Sequence, residues 1–366
     1  MKKLLLILGA ATALVAVSCM KTETTTMSGN LKAGLSTGVT AVNDAVNSIS
    51  SSAAYGVLNA NSVALKSATD LSTTFADSVT LASVAGIYDF QPDLFHFYDF
   101  CIPHRMFVKT GTSDHLIVNL PQKLVFHPRF LHELNPADTT LKNDFRIDAS
   151  DYYYFFNFTN LFNYRLSASF TLDTASIGEM QVLLTANLSS LSNANTFTFP
   201  GGYVINTSQA VANDTLTKVF SLTKGTDVLL KETVIASQLK PGMGEGRGID
   251  EEFRHRERLY ILDIGNVEIR RGNGLDSIQV YLNGVLQQHA GAKIVDSTGT
   301  DGSFFHKRDI LLTFDDGTTT NLNTLLDPAR QALSTLVDAL QSMNFAKNIV
   351  DYIAIGIDWH MRHDHD

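Results

Sequence analysis

The sequence predicts an α+β protein that is mainly β. It expects an N-terminal helical segment, a large antiparallel β-sandwich or open-barrel region, and a C-terminal helix packed on the sheet. Three observations carry this expectation. Apolar residues alternate with a two-residue period through the middle of the chain, turn residues punctuate those runs, and stripes of helical period flank them on both sides.

The first element is helical. Leu35, Val39, Val42, Val46, Ile49 and Ala53 step by alternating fours and threes. After Tyr55-Gly56 a second series begins at Val57 and Ala60 and runs on through Leu71, Phe75 and Val79. Both fit one face of a helix, so two helices joined near Gly56 are expected. From Ile87 the pattern changes to that of strands. Leu116-Ile117-Val118-Asn119-Leu120, the run from Arg165 to Leu172, and the run from Ser277 to Leu282 alternate as half-buried strands do. Lys224-Gly225-Thr226-Asp227, Asn283-Gly284 and Asp315-Asp316-Gly317 are hairpin signals. Short turns between successive strands predict antiparallel pairing. A Gly-rich seam at Pro241 to Asp250 divides the region into a first β-rich half, 87–241, and a second, 249–366. The last element is a helix opened by Asp327-Pro328, with Leu333, Leu336, Leu340, Met343, Ala346, Val350, Ile353 and Ile357 on one stripe.

The bulk chemistry narrows the function classes. The chain has 366 residues, a formal net charge of −9 and 18% charged residues, which argues against nucleic acid as a partner. It contains two cysteines, Cys19 and Cys101. With Cys19 close to the N-terminus, no disulfide is expected to staple the fold, so stability must come from packing or assembly.

The N-terminus says where the protein works. Lys2 and Lys3 precede an apolar run from Leu4 to Val17, the layout of a secretory signal peptide over 1–18. Ala16-Val17-Ser18-Cys19 resembles the lipobox of bacterial lipoproteins. The resemblance implies that Cys19 becomes the lipidated first residue, bearing acyl chains such as palmitate, and that 19–86 is a lipid-anchored helical tether. Met20 and Lys21, not an acidic residue, directly follow Cys19, which by the same resemblance implies the outer membrane. Asp-Ser/Thr triplets beginning at Asp77, Asp138, Asp173, Asp214, Asp276 and Asp296 resemble the O-glycosylation site of exported Bacteroidota proteins.

Candidate sites are few. Tyr152, Tyr154 and Phe156 lie in an aromatic run that can stack on a sugar or a partner, or can form a strand covered on both sides. Arg254, Arg256 and Arg258 alternate, which would put them on one strand face for an acidic ligand or lipid headgroup. His96, Cys101 and His104 supply soft-metal ligands, although one thiol at this spacing matches no strong zinc pattern. The histidines of the C-terminal tail are treated as an exposed polar end. Gly34-Leu35-Ser36-Thr37-Gly38 matches the hydrolase nucleophile elbow in letters only, because it falls inside a helical stripe. His132-Glu133 lacks the second histidine of a zinc-protease helix.

These features predict a cell-envelope lipoprotein acting as a non-catalytic binding or assembly module, with no cofactor. Its expected partners are the membrane, through the lipid, and a glycan, a lipid or an envelope protein. The alternatives are a metal-dependent hydrolase and a structural subunit of a surface assembly.

Overall fold

The computed structural model describes residues 30–60, 78–91, 107–121, 142–157, 161–238, 255–272, 278–287, 291–296, 308–314, 316–322, 324–325 and 346–358. The described helices include α1 (Leu31–Ser50), α2 (Ala53–Ala60), α3 (Leu81–Val84) and α4 (346–358). The first strands are β1 (Val79–Thr80), β2 (Gly86–Phe90), β3 (Phe107–Gly111), β4 (Leu116–Leu120) and β5 (Phe145–Asn157). A long series follows: β6 (Leu161–Leu172), β7 (Ala175–Ala186), β8 (Ser190–Thr198), β9 (Tyr203–Ala212), β10 (Thr215–Lys224), β11 (Asp227–Gln238), β12 (His255–Ile264) and β13 (Val267–Gly272). The last are β14 (Gln279–Leu282), β15 (Val285–Leu286), β16 (Gly291–Asp296), β17 (Arg308–Thr313) and β18 (Thr319–Asn321).

The strands form one sheet of 15, not two packed sheets, and a separate sheet of three, β16-β17-β18. From β4 to β15 each strand pairs antiparallel with the next, a single meander. Among the described strands only β2 and β4 pair in parallel, with β3 outside β2 at the edge. The seam expected at 241–250 lies outside the described residues, and it does not interrupt the sheet: β11 and β12 pair across it, Ser237 with Arg256 and Gln238 with His255.

Two-residue turns explain the meander. Gly225 at φ +57°, Gly265 at φ +57° and Asn283-Gly284 at φ +51° and +76° sit in the turns that close three hairpins. Left-handed φ at such positions matches the twist of the flanking strands, and glycine or asparagine adopts it at least cost. The hairpin signals at Gly225 and Asn283-Gly284 fall on turns, as does Asp316-Gly317 between β17 and β18; Asp315 lies outside the described residues.

One face of the sheet carries the core. Phe145, Phe170 and Phe197 stack in series at 6.0 and 5.8 Å between centroids. Gly178 of β7 pairs with Phe170, and a Cβ there would stand 3.0 Å from the Phe197 ring. Farther along, Ile205, Leu222, Leu230 and Ile264 continue the buried row over β9 to β12. Helices α1 and α4 join the same core. Asn30 caps α1, its Oδ1 accepting from the Ala33 amide at 3.0 Å. The stripe Leu35, Val39, Val42, Val46 and Ile49 is buried as the periodicity predicts. Gly34 and Gly38 let the helix lie close on the β12–β13 turn, where a Cβ at Gly38 would meet the Ile264 carbonyl oxygen at 2.9 Å. The segment expected as a tether therefore places α1 inside the folded body. The joint between α1 and α2 falls at Ser51-Ser52, where the Ser51 amide closes on Asn47, and Gly56 lies within α2.

Helix α4 packs on the same face, with Ala346, Ile349, Val350 and Ile353 almost fully buried. Among the described residues no helix is long and apolar enough to cross a membrane.

Candidate functional site

The aromatic strand β5 is the natural starting point. A bulge between Ala149 and Asp151 inserts Ser150 and shifts the alternation by one residue. Phe145, Ile147 and Ala149 face the core before it; Tyr152 and Tyr154 face the core after it. Tyr152 is 1% exposed. Its ring meets Tyr164 of β6 edge-on at 6.1 Å, and Tyr154 meets Phe162 edge-on at 5.5 Å. Phe156 is half-buried, 6.4 Å from the Phe162 ring.

Helix α4 closes over these rings with a polar latch. Tyr164 Oη donates to Asp351 Oδ1 at 2.9 Å, and Lys347 Nζ donates to Asp351 Oδ2 at 2.5 Å. The same ammonium sits 4.5 Å from the Tyr164 ring centroid. Burial, reinforced by the Asp351 charge, pushes the Tyr152 and Tyr164 hydroxyls well above the ordinary tyrosine range. Both therefore stay neutral at physiological pH. Tyr152 Oη is buried near Asp351, and among the described residues no group meets it in hydrogen-bonding geometry. Chemically this arrangement fixes a helix on a sheet. Of the three aromatics expected to contact a ligand, Tyr152 sits in the core, while Tyr154 and Phe156 keep partial exposure.

The opposite face of the same strands is different. Tyr153 and Phe155 point outward and are half-exposed. Arg165 lies 5.8 Å over the Tyr153 ring and is held by both Asp151 carboxylate oxygens. Nearer the β3 edge, Asp148 accepts from Arg146 at 2.9 Å and shares a hydrogen bond of 2.7 Å with His115 Nδ1.

The arginine strand does not keep its alternation. Arg256 pairs with Ser237 and Glu257 with Ala236, but Leu259 pairs with Ile235, so Arg258 is the extra residue of a bulge. The bulge breaks the two-residue period between Arg256 and Leu259, which the spacing in the sequence does not reveal. Arg254 lies outside the described residues, as do Cys19, His96, Cys101 and His104. Among the described residues no three His, Cys, Asp or Glu side chains gather in reach of one metal ion.

A charged patch occupies the outer face of β11 to β14. Asp263 stands directly opposite Glu268, with Lys231 paired to Asp263 on its other side. Glu268 accepts from Arg270, whose guanidinium lies 4.9 Å over Tyr281. Burial raises the Asp263 carboxyl above the usual range, and the Glu268 charge adds to it against Lys231 and Arg270.

Between Arg165 and this patch, the outer face of β7 to β11 is uncharged across two full rows. One row runs Leu183, Ala194, Ser208, Val219, Thr233 in cross-strand register. The next runs Thr185, Ser192, Ala210, Thr217, Ile235. Leu183 is 49% exposed, and Thr185, Ser192, Ser208 and Ala210 are exposed as well. A third row, Gln181, Thr196, Asn206, Ser221, reaches its first charge at Lys231; Thr196 donates to Asn206 Oδ1 at 2.7 Å within it. The sequence holds a signal for this face in its composition: from Met180 to Asn213 there is no Asp, Glu, Lys, Arg or His. A search for motifs passes over such a run, because it is defined by what it omits.

Comparison with protein-family models, with curated proteins and with solved structures found no match. The functional reading rests on the chain's own chemistry.

Proposed function

We propose that this protein is a non-catalytic binding or assembly module of the bacterial cell envelope, anchored in the outer membrane by acyl chains on Cys19. The observation that carries the binding half is the exposed, uncharged outer face of β7 to β11. An exposed sheet face normally carries interspersed charges that keep it solvated and single. A contiguous neutral face with Leu183, Val219 and Ile235 on it, in a chain of net charge −9, has the chemistry of a contact surface. The location half is supported by Lys2, Lys3, the apolar run and the Ser18-Cys19 junction.

Two measurements test it. In a bacterial host, the wild type is expected in the membrane fraction and Cys19→Ser in the soluble periplasm; a variant that stays membrane-bound overturns the lipid anchor. A photo-crosslinking residue at position 183 is expected to give adducts in intact cells. If only unmodified monomer is recovered, the surface is not a contact and the module reading falls.

A further inference from the structure

We propose that the uncharged outer face of β7 to β11 is where two copies of this chain meet, sheet face to sheet face. This rests on the binding-or-assembly reading above and names the partner.

The argument starts from charge. Copies of a chain with net charge −9 repel one another, and the repulsion is least where the approaching surfaces carry no charge. The rows through Ser208 and Ala210 supply such a surface, with Arg165 and Asp151 on one flank and Lys231, Asp263 and Glu268 on the other. Size is of the right order. The two neutral rows, with the third as far as Ser221, take in about six residues of each strand; at about 3.4 Å a residue and about 4.8 Å between strands, five strands make a flat face on the order of 500 Å², to which side-chain relief adds. A stable contact buries about 800 Å² on each partner.

Side-chain chemistry selects among occupants. Ser192, Ser208 and Ala210 are small, so a second sheet can approach at the ordinary spacing of about 10 Å. Leu183, Val219 and Ile235 supply the apolar contacts, and a twofold axis through the face would bring each row of one copy against a row of the other. No aromatic ring stands in the two rows, so the stacking that holds a glycan is missing there. The rows carry no Lys or Arg for an anionic lipid headgroup.

The test is the mass of the whole chain, solubilised in mild detergent, by light scattering after size exclusion over a hundredfold range of concentration. The protein mass is expected to double as concentration rises. Ser208→Glu is expected to move the midpoint at least tenfold higher, Ala210→Lys likewise, and an equimolar mixture of the two to restore it. A monomer at every concentration overturns the proposal, and so does a midpoint that neither variant moves. If crosslinks at position 183 form only to another component while the chain stays monomeric, the self-contact is wrong and the envelope-module reading stands. If no crosslink forms at all, both fall.

Discussion

Tyr164, Lys347 and Asp351 show what single side chains contribute here. Asp351 is a carboxylate at the edge of an apolar core, and both of its oxygens are occupied. Removing one donor leaves the acceptor desolvated without compensation, which costs more than the hydrogen bond itself is worth. Tyr164→Phe is therefore expected to lower the unfolding free energy by about 1–3 kcal/mol, read from urea denaturation, although the ring itself is retained. Asp263 works in the other direction. Its carboxyl is raised in the folded state by burial and by Glu268, so the folded protein favours its protonated form. That contribution is fully favourable below the unfolded carboxylate range and is lost as pH rises through the folded value. Asp263→Asn is expected to raise the melting temperature at pH 7 and to leave it nearly unchanged at pH 3. A variant less stable than wild type at pH 7 would count against this account.

At the scale of elements, Gly38 of α1 and Gly56 of α2 have opposite consequences. Gly38 is packed against the β12–β13 turn, and its missing Cβ is replaced by contact with the Ile264 backbone. Gly56 in α2 has nothing within 4 Å of where a Cβ would stand. Alanine favours a helix over glycine by about 1 kcal/mol, so Gly56→Ala is expected to stabilise by up to that amount. Gly38→Ala gains the same propensity but forces backbone apart, and is expected to destabilise by about 1–3 kcal/mol. Thermal melts of the two variants should move in opposite directions. At this scale some features are legible in local sequence and others are not. The stripe of α1, β4 from Leu116 to Leu120, and the three hairpin turns follow local periodicity and turn chemistry, which neighbouring residues dictate. The break between α1 and α2 lies at Ser51-Ser52 and not at Gly56, because glycine is tolerated in an exposed turn of helix, whereas Ser51 ends the hydrogen-bond ladder. The bulges at Ser150 and Arg258 are invisible in periodicity, since one inserted residue exchanges the faces of everything beyond it.

At the scale of the whole molecule, one meander of antiparallel strands is laid over helices from both ends of the sequence. Tyr164 and Asp351 are 187 positions apart, and Lys32 and Asp316, joined at 3.2 Å, are 284 apart. Such contacts make α1, α2 and α4 parts of one core. Among the described residues no helix lies on the far side of the sheet over β7 to β11, and there the neutral rows become a surface. The neutral run exists in the sequence, yet as a one-dimensional string it mixes core-facing Phe197 and Ile205 with outward Ser208 and Ala210. Only cross-strand register sorts them.

The sequence by itself determined the mainly-β character, the antiparallel order of the strands, the amphipathic helices at both ends, and the lipobox-like N-terminus that carries the expectation of an envelope lipoprotein. These depend on interactions between residues a few positions apart, where side-chain period and turn conformation suffice. The tertiary structure alone decided that the strands make one sheet of 15, that Tyr152 is core, that α1 lies inside the body, and that β7 to β11 share a neutral outer face. Those outcomes depend on register and on contacts between distant segments. There the free energy of burial chooses among arrangements that local sequence leaves equally open.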